Sequence, residues 1–308
     1  MSSPHHGVWS LALAVACLLT SCAAPVSSPL ASAPLGSSGP LFWHVSDSNG
    51  GSGYLLGSIH VGPEGGWKLS PVIEEAFRDA DVLVVEVDMR SKEAQESVQR
   101  LVYDRARLPT GTSLDDLIDR ELAVLFDERA PALGLPMHDS LGVKPWMIAM
   151  SIAVNQLQEL GFDPQSGVDW SFLLRAGDKR VHPLETPEMQ IALFDDLPIE
   201  TQALMLEDAL LRSEEIESYF NELFAAWVDG DEDLLTAILF AETHPQLEGF
   251  YRAAYLDRNQ SMARQISKLI DSGESIFAVI GSAHVVGDEG IPAKLRGAGY
   301  DVRQLLGQ

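Results

Sequence analysis

Residues 276–285 have the sequence Ile-Phe-Ala-Val-Ile-Gly-Ser-Ala-His-Val, and residues 54–61 have the sequence Tyr-Leu-Leu-Gly-Ser-Ile-His-Val. Each segment is an apolar run followed by the motif Gly-Ser-X-His-Val, and a short apolar run is typical of a buried strand. In open α/β sheets the ligand-binding crevice lies beyond the carboxyl ends of the strands. Because both motifs come just after such a run, the two copies predict that His60 and His284 lie in one functional crevice.

The glycine of each motif lies three residues before the histidine, where it lets the backbone turn sharply and approach a ligand closely. The serines beside the histidines, Ser58 and Ser282, are interpreted as small residues of tight turns rather than as nucleophiles.

The pattern of the remaining segments predicts a central sheet with a helical cap. Ser70-Pro71 predicts a helix start with a capping hydroxyl and a proline at the first position, and Thr186-Pro187 predicts a second helix start. Residues 256–270 have helical periodicity, and residues from about 91 to 235 form a helical insertion. Strands are predicted at residues 41–45, 54–56, 81–87, 181–184, 276–280 and 300–305. This βαβ pattern near both ends favours an α/β or α+β fold.

Glu86 adds a carboxylate to the two histidines. It interrupts the apolar run at residues 82–85, where a carboxylate would be desolvated unless a cation or a metal pairs with it. The alternative is an exposed residue at the end of the strand. Two imidazoles and a carboxylate suit a divalent transition metal that keeps open positions for water and substrate. His60, Glu86 and His284 are therefore the predicted metal ligands.

Four further polar residues are at positions, on apolar helical faces or at a strand end, from which they could line a cleft. Asn259 lies on an apolar helical face, and Arg258 beside it can reach a carboxylate. Asp169 also shares a face with apolar residues, and Glu185 ends a predicted strand directly before a helix start. Structural ion pairs or helix caps are an equally good explanation for each residue alone. As a set they predict a polar cluster at one cleft.

Composition excludes several classes of protein. With 21 basic and 45 acidic residues the net charge is −24, which disfavours nucleic-acid binding. Thirteen acidic residues and one basic residue, Arg212, fall between residues 195 and 233, a pattern typical of solvated helical faces. The two cysteines, Cys17 and Cys22, both precede the folded part. The body of the chain therefore has no disulfide, no cysteine-based zinc site and no thiol nucleophile.

The N-terminus is predicted to be a targeting segment. Residues 8–19 are apolar apart from one serine and are too few to span a bilayer, as in a secretory signal peptide. The following Leu-Thr-Ser-Cys at residues 19–22 resembles the lipobox of bacterial lipoproteins, which predicts a signal peptide at residues 1–21 and lipidation of Cys22. The alternative is an ordinary signal peptide cut nearby. Residues 22–40 are rich in Ala, Pro, Ser and Gly and predict a flexible tether before a domain at residues 41–308.

The chain resembles the TraB/GumN family, which is related to the Tiki metalloproteases and more distantly to ChaN-like and erythromycin-esterase-like proteins. The resemblance implies an α/β fold whose central sheet comes from two related βαβ halves with a helical insertion. It also implies that His60, Glu86 and His284 are catalytic or metal-site residues, with manganese or cobalt as the metal. The matching segments are residues 41–43, 55–60, 84–86, 167–169, 183–186, 190, 227–231, 258–259, 281–284, 287, 290 and 295–300.

These observations predict a metal-dependent, metalloprotease-like hydrolase of the cell envelope. It is expected to be lipid-anchored, in the outer membrane if the host is Gram-negative, and to face the periplasm or the exterior. A peptide or protein substrate enters between the helical insertion and the strand ends, and Glu86 or Glu185 takes the proton. Arg258, Asn259 and Asp169 orient these carboxylates or the substrate. Manganese and cobalt are favoured, with zinc as a further candidate. The alternative is a non-catalytic envelope lipoprotein that binds haem or a peptide.

Overall fold

The computed structural model of the protein describes residues 39–136, 141–240 and 245–305. The predicted signal peptide, the predicted lipidation site Cys22 and the predicted tether up to residue 38 lie outside the described residues. Gly39 and Pro40, the last two residues of that predicted tether, are buried. Gly39 lies close to Gly230, and a Cβ atom built on Gly230 would be 2.5 Å from the carbonyl oxygen of Gly39.

Most strands of the described residues belong to one mixed sheet. The strands are β1 Phe42–Ser46, β2 Ser52–Ser58, β3 Gly62–Pro63, β4 Val82–Val85, β5 Phe162–Asp163, β6 Arg180–Pro183, β7 Ile276–Gly281 and β8 Asp301–Gln304. The main sheet has the order β6-β4-β7-β2-β1-β8, and β3 pairs with β5 separately. In the main sheet β6, β4, β7 and β2 are parallel, whereas β1 is antiparallel to β2 and β8.

Helices flank this sheet, which confirms the predicted α/β class with a central sheet. The α-helices are α1 Pro71–Asp79, α2 Lys92–Ala106, α3 Arg120–Arg129, α4 Pro145–Glu159, α5 Val168–Leu174, α6 Pro187–Asp195, α7 Ile199–Leu211, α8 Ile216–Asp229, α9 Glu232–Leu239, α10 Glu248–Tyr251, α11 Arg258–Asp271 and α12 Ile291–Gly297. Short 3-10 turns occur at Leu114–Asp116, Ala130–Leu133, Pro164–Ser166, Pro245–Leu247 and Ser282–His284.

The central strand β7 is buried along its whole length, as expected of a parallel strand with a neighbour on each side. The ring of Phe277 lies 5.5 Å from that of Phe77 on α1 and 5.0 Å from that of Phe172 on α5, measured between centroids. These rings pack both helices against the sheet. The strand predicted at residues 276–280 is confirmed.

Each copy of the motif lies between the first strand and the helix of a strand–helix–strand unit. β2 leads through the first motif to α1 and β4, and β7 leads through the second motif to α12 and β8. Helices α2 to α11 lie in the chain between β4 and β7, and β6, which follows α5, pairs with β4. The strand order has one feature that the sequence pattern does not predict, since β7 inserts between β2 and β4.

The two predicted helix starts differ in their caps. The hydroxyl of Thr186 accepts a hydrogen bond from the backbone N–H of Met189, and Pro187 begins the helix as predicted. The hydroxyl of Ser70 makes no capping bond, so the capping prediction is wrong there. Its carbonyl oxygen instead accepts from the N–H groups of Ile73 and Glu74, and Pro71 still begins the helix.

The helix predicted at residues 256–270 also differs in detail. The α-helix α11 begins at Arg258, and the preceding Arg252–Asp257 is a π-helix, in which one extra residue widens the turn. Every helix of the described residues is too short or too polar to span a bilayer.

Candidate functional site

The two motif histidines leave the sheet side by side. β2 and β7 are parallel neighbours, with Ser58 aligned with Gly281 at their carboxyl ends. Both strands therefore deliver their histidine to the same edge of the sheet, as the sequence predicts. His60 is 8% exposed and His284 is 2% exposed, so the two imidazoles lie in the interior behind this edge.

The glycines of the motifs are required by close approach. A Cβ atom on Gly281 would lie 2.9 Å from Nε2 of His60 and 3.1 Å from Oε1 of Glu86. A Cβ atom on Gly57 would lie 2.8 Å from a methyl group of Val285 in the second motif. Each motif thus packs against the other, and a side chain at either glycine would push the two histidine turns apart.

His60 is oriented by Asp169 on the first turn of α5. Nδ1 of His60 lies 2.8 Å from Oδ2 of Asp169, and the hydroxyl of Ser58 donates to Oδ1 at 2.5 Å. Burial raises the pKa of Asp169, but the charge of His60 and the hydrogen bonds from His60 and Ser58 outweigh it, so the pKa lies below its usual value. The ionised carboxylate accepts the Nδ1 proton, so that in the neutral form of the ring the lone pair lies on Nε2.

Ser58 therefore does more than fill a tight turn. It ends β2 and holds the carboxylate that orients His60, which the sequence interpretation missed. The hydroxyl of Ser282 donates to the carbonyl oxygen of Ser58 at 2.8 Å and so links the two motifs.

His284 is oriented in the same way by Asn259 on α11. Nδ1 of His284 lies 2.5 Å from Oδ1 of Asn259, and the amide nitrogen of Asn259 donates to the carbonyl oxygen of Glu289 at 2.9 Å. Since the Asn259 oxygen can only accept, Nδ1 of His284 carries the proton. Burial lowers the pKa of His284 well below its usual value, and the charge of Arg258 lowers it further. The ring is therefore neutral at pH 7.

Glu86 and Glu185 meet at a buried guanidinium. Nη2 of Arg258 donates to Oε2 of Glu86 at 2.8 Å and to Oε2 of Glu185 at 2.7 Å, and its Nε donates to Oε1 of Glu185 at 2.8 Å. Burial would lower the pKa of Arg258, but its hydrogen bond to Glu185 and the charges of the two carboxylates raise it. Glu86 is 6% exposed, so the alternative of an exposed residue at the end of the strand is wrong.

Two more groups donate hydrogen bonds to the carboxylate of Glu86. The side-chain amide of Gln190, on α6, donates to Oε2 of Glu86 at 3.0 Å and to Oε2 of Glu185 at 3.1 Å. The backbone N–H of Gly281 donates to Oε1 of Glu86 at 2.8 Å. Gln190 had no predicted role, because a glutamine in a helix is more often solvated. Its spacing of five residues from Glu185 is the signal that could have found it.

A cavity of about 40 Å³ lies in front of the histidines. Its polar wall includes His60, His284, Ser58 and Ser282. Its apolar wall belongs to the helical insertion and to the π-helix, namely Leu223, Trp227, Leu235, Leu239 and Tyr255. The cavity thus lies between the insertion and the strand ends, where the sequence predicts a cleft. Glu86, Glu185 and Arg258 are not among its described lining residues and lie behind the histidines.

The donor chemistry at these residues fits a divalent transition metal. A histidine whose Nδ1–H is held by a carboxylate or an amide oxygen is the usual metal-binding form, and His60 and His284 are both held so. Nε2 of His60 lies 3.8 Å from Oε1 of Glu86, and two atoms bound to one ion at about 2.1 Å each can be up to roughly 4.2 Å apart. As they stand, however, no three His, Cys, Asp or Glu side chains of the described residues form a group that could hold a metal ion. The metal therefore stays a prediction.

We expect Arg258→Met to destabilise the protein by about 3–5 kcal/mol, because it leaves the carboxylates of Glu86 and Glu185 buried without a counter-charge. Arg252→Met is the matched control, since the Arg252 side chain is 70% exposed and its pairing with Asp257 is at the surface. That control should change stability by about 0.5 kcal/mol or less. Urea unfolding of the two variants measures the difference, and an equal loss in both would contradict the buried network.

Comparison with known proteins identifies the family. The sequence model of the TraB/PrgY/gumN family matches residues 41–304. The relative named "Uncharacterized protein YbaP" of Escherichia coli strain K12 is 25% identical over 248 residues, which cover 79% of this chain and 87% of the relative. The protein of the same name from Shigella flexneri matches to the same extent. No solved structure matches the chain significantly. Because the family model spans nearly all of the described fold, this chain belongs to the TraB/PrgY/gumN family.

Proposed function

We propose that this protein is a metal-dependent hydrolase that cleaves peptide bonds in the cell envelope. The observation that carries the proposal is the pair of histidines at the ends of adjacent parallel strands, each with Nδ1 held by its own acceptor. Asp169 and Asn259 thus orient two imidazoles toward one cavity from behind. Family membership supports the fold of the site more firmly than its reaction.

His60, His284 and Glu86 would hold the metal, with manganese or cobalt favoured and zinc as a further candidate. When bound, such an ion supplies Lewis acidity, which polarises a carbonyl group and makes water more acidic. Oε2 of Glu86 is held by Arg258 and Gln190. Oε1 of Glu86 lies 3.8 Å from Nε2 of His60 and is the oxygen that would bind the metal.

Hydrolysis consumes one water molecule. Its oxygen bonds to the carbonyl carbon, the C–N bond breaks, and one proton passes to the leaving amine. Of the two predicted proton acceptors, Glu86 is better placed, because its Oε1 is held by a backbone N–H and lies 3.8 Å from Nε2 of His60. Both oxygens of Glu185 are held by the guanidinium of Arg258. Glu86 would take the proton of the attacking water and return it to the amine. Glu185, Arg258 and Gln190 would keep its carboxylate in position.

The negative charge of the protein affects which substrates it would attract. The acidic residues between 195 and 233 and the net charge of −24 disfavour acidic peptides and nucleic acids and mildly attract basic peptides. This attraction acts on the association rate and is screened by salt.

Metal binding tests the ligand set. We expect one Mn²⁺ or Co²⁺ per chain by isothermal titration calorimetry, and none in the His60→Ala/His284→Ala double variant. At a free metal concentration of about 100 times the dissociation constant, wild-type stability should rise by about 2.7 kcal/mol. His182→Ala is the matched control, because His182 lies on β6 outside the cavity lining. Absence of binding by the wild type, or equal binding by the double variant, would refute the site.

Cleavage tests the reaction. We expect the full chain with Mn²⁺ or Co²⁺ to cleave members of a peptide library, with the products identified by mass spectrometry. Glu86→Gln should reduce the rate by about 10²–10⁴-fold, because the amide cannot accept the proton. Circular dichroism must show that the variant is folded. Metal-loaded protein that cleaves nothing would contradict the hydrolase and favour the alternative of a protein that binds haem or a peptide without turnover.

The proposed location depends on Cys22, outside the described residues. We expect Cys22→Ala to abolish lipidation and membrane fractionation, whereas Cys17→Ala should leave both intact, because only Cys22 follows the lipobox-like segment. The added lipid mass and the fractionation of each variant provide the measurement. Unchanged membrane association of Cys22→Ala would show that the anchor is not at this residue.

A further inference from the structure

Tyr255 lies in the π-helix Arg252–Asp257, directly before the helix that supplies two site residues. Arg258 and Asn259 begin α11 immediately after this π-helix. π-helical turns are rare and frequently occur at functional sites. The same stretch of chain therefore places Tyr255 in the cavity wall and the polar pair behind the histidines.

The ring of Tyr255 is fixed by its neighbours. It is 5% exposed and makes an edge contact with Phe240 at a centroid distance of 5.1 Å. It also contacts Tyr251 at 5.5 Å and the imidazole of His284 at 5.6 Å. A ring held on three sides has little rotational freedom to lose when a ligand binds.

The hydroxyl of Tyr255 is buried and has no hydrogen-bond partner among the described residues. A buried tyrosine hydroxyl usually finds a partner, and leaving one unpaired costs about 1–3 kcal/mol. Burial raises the pKa of Tyr255 far above its usual value, and the neighbouring Tyr219 raises it further. An ordinary phenol has a pKa of about 10 and so already carries its proton at physiological pH.

Other polar hydrogens of the cavity wall are already committed. The hydroxyl of Ser58 donates to Asp169, and that of Ser282 donates to the carbonyl oxygen of Ser58. Nδ1–H of His284 donates to Asn259. Among the described lining side chains, the Tyr255 hydroxyl is thus the donor that still needs an acceptor.

We propose that Tyr255 is a catalytic residue whose hydroxyl donates a hydrogen bond to the carbonyl oxygen of the scissile peptide bond. This inference rests on the proposed hydrolase function. As the carbonyl carbon becomes tetrahedral, negative charge develops on that oxygen, and a fixed donor in a water-poor cavity stabilises it. The apolar wall formed by Leu223, Leu235 and Leu239 favours a substrate with an apolar side chain beside the bond.

Tyr255→Phe tests this role, because it removes the hydroxyl and keeps the ring. Since that hydroxyl has no partner, the melting temperature should stay unchanged or rise. In the full chain with Mn²⁺, kcat for an apolar peptide should fall by about 100-fold, the effect of losing one oxyanion donor, with a smaller change in KM. Binding of a phosphinic peptide with leucine-like side chains, measured by calorimetry, should weaken by at least tenfold.

Tyr251→Phe is the matched control, because Tyr251 is a half-buried neighbour that does not line the cavity among the described residues. It should leave kcat and phosphinic-peptide binding unchanged, and both variants should bind Mn²⁺ as the wild type does. Equal kcat in wild type and Tyr255→Phe would overturn the role of Tyr255 and leave the hydrolase standing. Loss of metal binding or of folding in Tyr255→Phe would assign the residue a structural role and also overturn it. A wild type that cleaves nothing would overturn the hydrolase and this inference together.

Discussion

The site depends on one buried cation. The guanidinium of Arg258 allows the carboxylates of Glu86 and Glu185 to lie beyond the carboxyl ends of the neighbouring strands β4 and β6. Without a counter-charge, each carboxylate would face a desolvation cost of several kcal/mol. The same guanidinium joins α11 to the sheet, and Gln190 on α6 bridges the two carboxylates. One charged group thus fixes the mutual position of two strands and two helices around the histidines.

The polar groups form two layers behind the cavity. The histidines stand in front, and each is oriented through Nδ1 by a residue of the layer behind it, Asp169 or Asn259. In front of them the wall is mostly apolar, and the indole of Trp227 in α8 donates to the carbonyl oxygen of Gly57 at 2.8 Å. That bond ties the helical insertion to the first motif. The insertion therefore shields the histidines from bulk solvent, which strengthens electrostatic interactions in the cavity.

The sequence predicts much of this arrangement, for physical reasons that can be stated. The two motif copies predict adjacent histidines because parallel strands end at the same edge, and the buried carboxylate at Glu86 demands a cation, which Arg258 supplies. Strand order could not be predicted, because the apolar pattern of β7 suits a place beside β4, beside β2 or between them. The role of Ser58 was not predicted because its partner Asp169 is distant in the chain, and the role of Gln190 was not predicted because it depends on Glu86 as well as on the nearby Glu185. The π-helix was not predicted because the helical periodicity used to find helices assumes 3.6 residues per turn.

The division between the two layers determines what mutagenesis can reveal. Arg258, Glu86 and Glu185 hold the fold and the site together, so a loss of function on changing them mixes instability with chemistry. The hydroxyl of Tyr255 is different, because it contributes no hydrogen bond to the described fold. An unpaired donor in a cavity wall points to a bound acceptor, either a ligand or a water molecule, that offsets its cost. Function in this fold is therefore most cleanly separated from stability at the cavity wall rather than in the buried network behind it.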